Sequence, residues 1–367
     1  MKNVLGNAIT LTLFGESHGE KIGCVIDGLS AGIKFDNDFI SDCLGKRRPQ
    51  GKGETARVEK DNYAIVSGVF NGYTTGTPLT ILIDNANTNS KDYDVNKNLL
   101  RPSHIDYVAH EKYHGYEDYR GGGHFSGRIT APIVAAGAII LKALEKFNIN
   151  IATHIKQCGN VCDDDFTNLD KEINKVNSMS FPIINDDVYD DMQNEIKKAM
   201  ENNDSVGGII QVAINNLPVG IGEPIFSSLE GELSKALFGI GGIKGIEFGL
   251  GFKFANANAS KVNDAFVMQN GNIATKTNNN GGINGGISNG MPIIFNLAVR
   301  PTPSISQVQE TVDINTKTNS KIKIVGRHDP AIIRRINIVV RCMCAFVIAD
   351  MLTLKYGNDV FLKDKLS

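Results

Sequence analysis

Apolar positions divide the chain into many short strands and a few helices. Short apolar runs bounded by glycine and polar residues are typical of strands, whereas apolar residues spaced three and four apart predict helices. Strands are expected at 8–14, 21–28, 63–70, 79–83, 152–161, 207–215 and 292–299. Helices are expected at 35–45, 132–147, 187–203, 226–238 and 339–356.

The order of these elements indicates the fold class. Strands and helices do not alternate regularly, which argues against a doubly wound parallel sheet and favours an α+β fold with antiparallel sheets. Segments 46–58 and 307–322 carry little apolar pattern, so we predict mobile loops there, and 163–186 is expected to be irregular. Because no proline-, glycine- or serine-rich linker interrupts the chain, we expect residues 1–367 to form a single domain.

Composition and charge narrow the class of protein. The net charge of −2 over 367 residues gives no electrostatic support to a nucleic-acid or membrane-surface role. We expect neither a signal peptide nor an apolar run of membrane-spanning length, which predicts a cytoplasmic protein with no membrane partner. The six cysteines form no C-x-x-C pair, so reduced and mostly buried thiols are predicted.

Candidate chemistry is concentrated in residues 101–130, RPSHIDYVAHEKYHGYEDYRGGGHFSGRIT. This segment holds three arginines, four of the seven histidines and a triple glycine. Guanidinium groups bind phosphate or carboxylate through paired bonds, glycines let backbone N–H groups approach a ligand, and imidazole exchanges protons near neutral pH. The segment therefore predicts an anion site beside a helix N-terminus.

Three other turns carry related chemistry. His18 lies in the turn GESHG after a predicted strand, a place where catalytic residues often occur. The basic loop KRRPQGKG, which begins at Lys46, is expected either to close on an anionic substrate or to be a solvated charge run. In the segment GRHDP, Arg327 and Asp329 are two residues apart, which places both on one side of an extended chain.

The segment HEKYH at residues 110–114 offers an alternative chemistry. On a helix, H-E-x-x-H places two imidazoles on one face, where they bind zinc. Gly115 follows immediately and no third ligand is evident, so the context is poor for such a site. A zinc hydrolase through His110 and His114 is kept as an alternative, and a non-catalytic anion-binding module is another.

Taken together, the motifs resemble the chorismate synthase family. They follow one another along nearly the whole chain as GESHG, RRP, RPSH, DYRGGG, DSVGG, GEP, KGIE, GGINGG and GRHDP. The resemblance implies a β-α-β sandwich of antiparallel sheets flanked by helices, assembled as a homotetramer with reduced FMN as cofactor. It implies a carbon–oxygen lyase of the shikimate pathway to aromatic amino acids. The reaction is a 1,4-anti elimination of phosphate from 5-enolpyruvylshikimate 3-phosphate, giving chorismate. The reductant of FMN, NADPH or a separate reductase, stays open.

The resemblance also implies roles for individual residues. His18 is expected to protonate the departing phosphate, His104 to protonate or stabilise the reduced flavin, and Asp329 to lie near flavin N5. The substrate anions are expected on Arg47, Arg48, Arg101, Arg128 and Arg335. FMN contacts are expected from Phe125, Ser126, Gly241, Gly242, Gly285, Arg300, Pro301, Thr302, Pro303, Ser304 and Arg327.

A few positions depart from the family pattern. His124 stands where the family often has an arginine after the triple glycine, and Ile129 stands where it often has a glutamate. Arg300 stands where a lysine is common, and either cation suits a phosphate. Lys52 is expected to replace a second arginine of the basic loop, with less geometric control.

Overall fold

The computed structural model describes residues 3–50, 61–85, 97–269, 271–324 and 329–366. Its strands are β1 Val4–Leu5, β2 Thr10–Gly15, β3 Lys21–Asp27, β4 Tyr63–Ser67, β5 Val69–Phe70, β6 Tyr73–Thr74, β7 Leu79–Asp84, β8 Asn150–Cys158, β9 Val161–Cys162, β10 Gly208–Asn215, β11 Ile243–Phe248, β12 Phe266–Gln269, β13 Asn272–Thr275, β14 Ile283–Asn284, β15 Ile287–Ser288, β16 Ile293–Val299, β17 Val308–Asp313 and β18 Thr318–Lys323. Its helices are α1 Asn37–Arg47, α2 Asp106–Tyr113, α3 Thr130–Glu145, α4 Leu169–Ser178, α5 Tyr189–Glu201, α6 Leu229–Phe238, α7 Ala259–Val262 and α8 Ile333–Tyr356.

Two five-stranded antiparallel sheets form the outer layers. The first has the order β1-β2-β3-β7-β4 and the second the order β11-β16-β10-β8-β9. In the second sheet, Gln211 pairs with His154 on one side and with Asn296 on the other. Each sheet buries apolar side chains on the face that meets the helices, which is the arrangement that antiparallel sheets favour.

Helices α3 and α8 lie between the two sheets and pack against each other. Helix α3 also contacts β3 and β7 of the first sheet, and α8 contacts β8 and β10 of the second. Helices α1 and α6 join this layer by packing on α8. The result is a sheet–helix–sheet sandwich, so the predicted α+β fold with antiparallel sheets is confirmed.

The two central helices also correct an expectation about apolar length. Segments Gly127–Glu145 and Ile333–Tyr356 are long and apolar enough to cross a membrane, although no run of that length was expected. The most apolar 18-residue stretch of each segment is 83% and 100% buried inside the protein, respectively. A helix that is apolar on all sides is typical of a protein core, and these two serve as its centre.

Two segments predicted to lack regular structure differ in the fold. The expected loop 307–322 forms the antiparallel hairpin β17–β18, whose strands are mostly polar and pair with each other. The expected irregular segment 163–186 contains α4, where only Ile173 and Val176 are buried. In both segments few apolar side chains face the core, so the sequence carried little periodic signal. Of the expected loop 46–58, residues 46 and 47 end helix α1, and residues 51–58 lie outside the described residues.

The cysteines follow the sequence prediction. All six are free, and five of them are buried, with Cys162 exposed. Burial raises the pKa of the Cys24 thiol to about 12. The pKa of Cys158 also rises to about 12, because of burial and then the nearby Glu195. These two thiols are therefore protonated packing residues.

Candidate active site

The turn that carries His18 packs directly on the triple glycine. The Ser17 N–H donates to the Gly123 carbonyl at 3.0 Å, and His124 Nδ1 lies 2.8 Å from the carbonyl oxygen of Gly15. A Cβ on Gly121 would lie 2.5 Å from Cδ2 and 2.7 Å from Nε2 of His18, and Gly121 has a φ of +60°. The His18 imidazole fits in this position because residue 121 has no side chain.

A carboxylate lies close to the His18 ring. Asp118 accepts hydrogen bonds from Nε and Nη2 of Arg120, both at 2.8 Å. These bonds are the largest cause that holds the pKa of Asp118 below its ordinary value, and the charge of His18 adds to it. Asp118 therefore stays ionised beside the triple glycine on which the His18 turn packs.

Two buried arginines share one buried carboxylate. Arg128 Nη1 donates to Asp61 Oδ1, and Arg47 Nη1 lies 4.0 Å from Asp61 Oδ2. Arg128 Nε donates to Asn85 Oδ1 at 3.0 Å, and the Asn85 amide donates to the carbonyls of Glu16 and Gly19, both at 2.9 Å. The arginine pair is therefore bonded to the same turn that positions His18.

The start of helix α8 holds the end of helix α1. Arg334 donates to the carbonyls of Lys46 at 2.9 Å and Arg48 at 2.6 Å, and Arg335 Nε donates to the carbonyl of Arg47 at 2.9 Å. Cationic side chains satisfy the last carbonyls of a helix in this way. Arg335 also forms an ion pair with Asp329. The structure thus brings Arg47, Arg48, Arg335 and Asp329 together.

A second group of predicted residues surrounds His104. Its Nε2 lies 2.7 Å from Ser304 Oγ, and Arg300 Nη1 donates to the Ser103 carbonyl at 3.0 Å. Arg101 Nε and Nη2 donate to Asp106 at 2.8 and 2.6 Å. Burial by itself raises the pKa of Asp106, but the bonds from Arg101 outweigh it and lower the pKa. In this state Arg101 is bound to a carboxylate of its own segment.

The turn Arg300–Ser304 connects the two groups. The Arg300 N–H donates to the Gly242 carbonyl at 2.9 Å, and Ser205 Oγ donates to the Thr302 carbonyl at 2.6 Å. One residue further, the Val206 N–H donates to the carbonyl of Pro330 at 2.8 Å, next to Asp329. The turn therefore lies between the His104 segment and the Asp329–Arg335 pair.

Two features of this turn fit the phosphate end of a flavin nucleotide. Thr302 Oγ1 is buried and, among the described residues, has no hydrogen-bond partner. A Cβ on Gly241 would meet no atom within 4 Å, so the backbone there faces open space. A guanidinium, hydroxyl groups and accessible backbone form a donor set that suits phosphate oxygens.

The other predicted FMN contacts lie in several different parts of the structure. Phe125 is 45% exposed with its ring 6.1 Å from that of Tyr113, and Ser126 Oγ accepts from the Arg128 N–H at 3.3 Å, so both lie on the His18 side. Gly285 lies in the β14–β15 hairpin, where Gly286 accepts a bond from the Leu229 N–H at 2.8 Å. That bond connects the hairpin to helix α6. Arg327 and Lys52 lie outside the described residues.

The alternative zinc motif is not arranged as a metal site. Helix α2 ends at Tyr113, and His114 follows in a left-handed conformation with a φ of 59°. His110 Nδ1 lies 3.2 Å from Glu117 Oε1. Within the part of the chain that the structure describes, no three histidine, cysteine or acidic side chains are grouped to hold a metal ion.

Two residues of this site were missed by sequence reasoning. Asp61 and Asn85 lie at the ends of polar segments, where the sequence gives no sign of burial. Asp61 is 4% exposed and carries the carboxylate between Arg47 and Arg128. A carboxylate that close to two predicted anion-binding arginines follows only from the tertiary structure.

Comparison with known proteins shows the family to which the chain belongs. The model of the family described as chorismate synthase matches residues 9–353. A chorismate synthase from Pyrococcus abyssi is 45% identical over 351 residues, which is 95% of this chain and 97% of the relative. One from Thermococcus gammatolerans is 43% identical over 349 residues, covering 95% and 96%. A crystal structure of chorismate synthase superimposes with a TM-score of 0.76 at 27% identity, covering 96% of this chain and 94% of that one. The chain belongs to the chorismate synthase family.

Proposed function

We propose that the cationic group built from the ends of α1 and α8 is the substrate site of a carbon–oxygen lyase. The reaction is the one for which the family is named, the elimination of phosphate from 5-enolpyruvylshikimate 3-phosphate to give chorismate. It serves the shikimate pathway to aromatic amino acids. The observation that supports this assignment most is the convergence of Arg47, Arg128 and Arg335, from three distant parts of the chain, around the His18 turn.

Charge balance favours a multiply charged anion at this place. The substrate carries a phosphate and two carboxylates, and the described part of the site holds Arg47, Arg48, Arg128 and Arg335 against Asp61 and Asp329. Arg48 and Arg335 are partly exposed and are proposed to contact the substrate directly, together with Arg101 after it exchanges Asp106 for substrate. Arg47 and Arg128 are buried and are proposed to attract the substrate through their charge without contacting it. The low dielectric of the protein interior screens this charge weakly.

His18 is proposed to donate the proton that the departing phosphate takes up. Its ring is largely buried against Gly121, which fixes its orientation. The ionised Asp118 places a negative charge on the same side of the site. General acid catalysis of this kind contributes about 10²–10⁴-fold in rate.

The family requires reduced FMN, and we propose that this chain holds it along the Arg300–Ser304 turn. Arg300, Thr302 and Ser304 would hold the phosphate, with Gly241 and Gly242 beside it, and Phe125, Ser126, Gly285 and Arg327 as further contacts. When bound, the reduced flavin supplies an electron-rich ring that stabilises positive charge on the substrate. His104, fixed by Ser304, is proposed to hold a proton beside that ring. Asp329 is proposed to receive the proton that the substrate loses.

Assembly and location are part of the same proposal. We propose a cytoplasmic homotetramer, with no nucleic-acid or membrane partner. The structure leaves several large apolar side chains exposed, and side chains of this kind often become buried in subunit contacts. They are Phe226, Phe252, Phe266, Met268 and Ile273, each at least 70% exposed. Light scattering of the purified protein at micromolar concentration should give the mass of four chains, and a monomer mass would contradict the assembly.

The activity is tested anaerobically with reduced FMN and substrate. The expected result is stoichiometric release of phosphate and chorismate, and the absence of both at high enzyme concentration would refute the proposal. His110→Ala is a matched histidine control, since His110 is partly exposed and contacts Glu117, and it should keep full activity. Chelator-sensitive activity that is lost in this variant would favour the zinc alternative. A parallel reaction with NADPH in place of a chemical reductant tests whether the chain reduces FMN itself.

A further inference from the structure

A small cavity lies where the ends of α1 and α4 meet helix α8. Its volume is about 20 Å³, and its walls include Lys46, Thr153, Arg334, Asn337 and Arg341. The rim includes Ser180, which is exposed, so ions from solvent can enter. A cavity of this size holds about one water-sized particle.

The charges around the cavity are strongly unbalanced. Three basic side chains line it, and no acidic residue is among the described residues of its wall. Lys46 has its own partner in Asp42 at 3.1 Å. Arg341 is buried and donates from Nε to the carbonyl of Ile151 at 2.8 Å, which is a neutral acceptor. Burial lowers the pKa of this guanidinium, and the charges of surrounding groups, Glu145 and Asp42 among them, offset only part of that effect.

A buried amide also points to a ligand in this cavity. Asn337 is 5% exposed, and its Oδ1 accepts a hydrogen bond from Thr153 Oγ1 at 2.6 Å. That bond orients the side chain and leaves the amide nitrogen as the remaining donor. Asn337 Nδ2 is buried and has no hydrogen-bond partner among the described residues. A buried donor without an acceptor destabilises the folded protein, so an acceptor in the cavity is favoured.

We propose that this cavity binds a monoatomic anion, chloride under ordinary conditions, between the Arg341 guanidinium and the Asn337 amide. Chloride accepts hydrogen bonds from both groups and balances the buried charge, while phosphate is too large for the space. Arg334 lines the same cavity and donates to the carbonyls of Lys46 and Arg48. The anion therefore stabilises the junction of α1 and α8 that presents Arg47 and Arg48.

Bromide provides a direct test because it replaces chloride and scatters anomalously. Crystals of the wild-type protein grown in bromide should show an anomalous peak within hydrogen-bond distance of Arg341 and Asn337 Nδ2. A cavity that contains only water, or no anomalous signal, would overturn the proposal.

A stability measurement tests the same site in solution. The melting temperature of the wild type should be about 2 °C higher in potassium chloride than in potassium gluconate at equal ionic strength, with a saturable dependence on chloride. Asn337→Asp places a carboxylate of the same size in the cavity, so it should raise the melting temperature in gluconate and abolish the chloride dependence. Lys175→Met is the matched control, because Lys175 lies on α4 outside the cavity in an exposed pair with Asp186. It should keep the wild-type chloride effect. A chloride dependence that persists unchanged in Asn337→Asp would contradict the assignment, even if a bromide peak were present.

Discussion

Replacing Asp61 by asparagine tests whether one buried carboxylate holds the proposed substrate site together. The Asp61 side chain is 0% exposed, and the side chains of Arg47 and Arg128 are each 3% exposed. Asp61→Asn keeps the shape of the side chain and removes the negative charge between the two guanidinium groups. Both arginines then remain buried without that compensating charge.

The expected loss of stability is large. Removing one partner of a buried ion pair costs about 3–5 kcal/mol, because the remaining charge stays desolvated. Asparagine retains one acceptor oxygen for Arg128, which places the cost near the lower limit, at about 3 kcal/mol. For a chain of this length that corresponds to a fall in melting temperature of roughly 5 °C.

The assay is thermal unfolding with and without 5-enolpyruvylshikimate 3-phosphate, in the absence of FMN so that no turnover occurs. The substrate should stabilise Asp61→Asn more than the wild type, because the bound anion supplies the charge that the variant lacks. Asp84→Asn is a matched control, since its carboxylate forms an exposed pair with Lys21 while its backbone carbonyl accepts from Arg128. It should melt close to the wild type. Equal melting temperatures for Asp61→Asn and Asp84→Asn would refute the reasoning.

Three further predictions concern the turn that carries His18 and the pH dependence of stability. His18→Ala should lower kcat about 10²–10⁴-fold with an unchanged melting temperature, and an unchanged kcat would remove His18 from proton transfer. Gly121→Ala should lower kcat strongly, because its Cβ would meet the His18 ring at 2.5 Å. Gly72→Ala tests backbone strain alone, because Gly72 has a similar φ of +78° and its Cβ would meet no atom within 4 Å. Similar activity in both variants would contradict the steric argument. Burial raises the pKa of Asp163, but hydrogen bonds from His154 and from the backbone N–H groups of the 184–185 segment outweigh it and keep the pKa below the ordinary 3.8. Ionised Asp163 therefore stabilises the fold above that pH, and this stabilisation is lost as the pH falls through the lower pKa of the folded state. Melting curves of Asp163→Asn should show a lower melting temperature than the wild type at pH 7, and a smaller decrease than the wild type below pH 4.

The sequence by itself determined the fold class and the family. Apolar periodicity located the inner strands of both main sheets and the central helices, because these elements bury a complete face and repeat their apolar residues regularly. It missed the edge strands β1, β9 and β11. The helix expected at 132–147 corresponds to α3, Thr130–Glu145. Motifs such as GESHG and DYRGGG were sufficient to recognise the family, since side-chain chemistry and glycine positions are local properties of a sequence. The polar hairpin β17–β18 was missed, since its strands bury few side chains.

The tertiary structure alone decided which charges meet. Arg47 was expected in a mobile basic loop, yet it is the last residue of α1 and is buried beside Asp61. Its partners are 14 residues away at Asp61 and 81 residues away at Arg128, a separation for which the chain carries no periodic signal. The same holds for the cavity at Arg341, which forms where the ends of α1 and α4 meet helix α8. Contacts between distant segments depend on how the layers pack, and a pattern of neighbouring residues cannot encode that geometry.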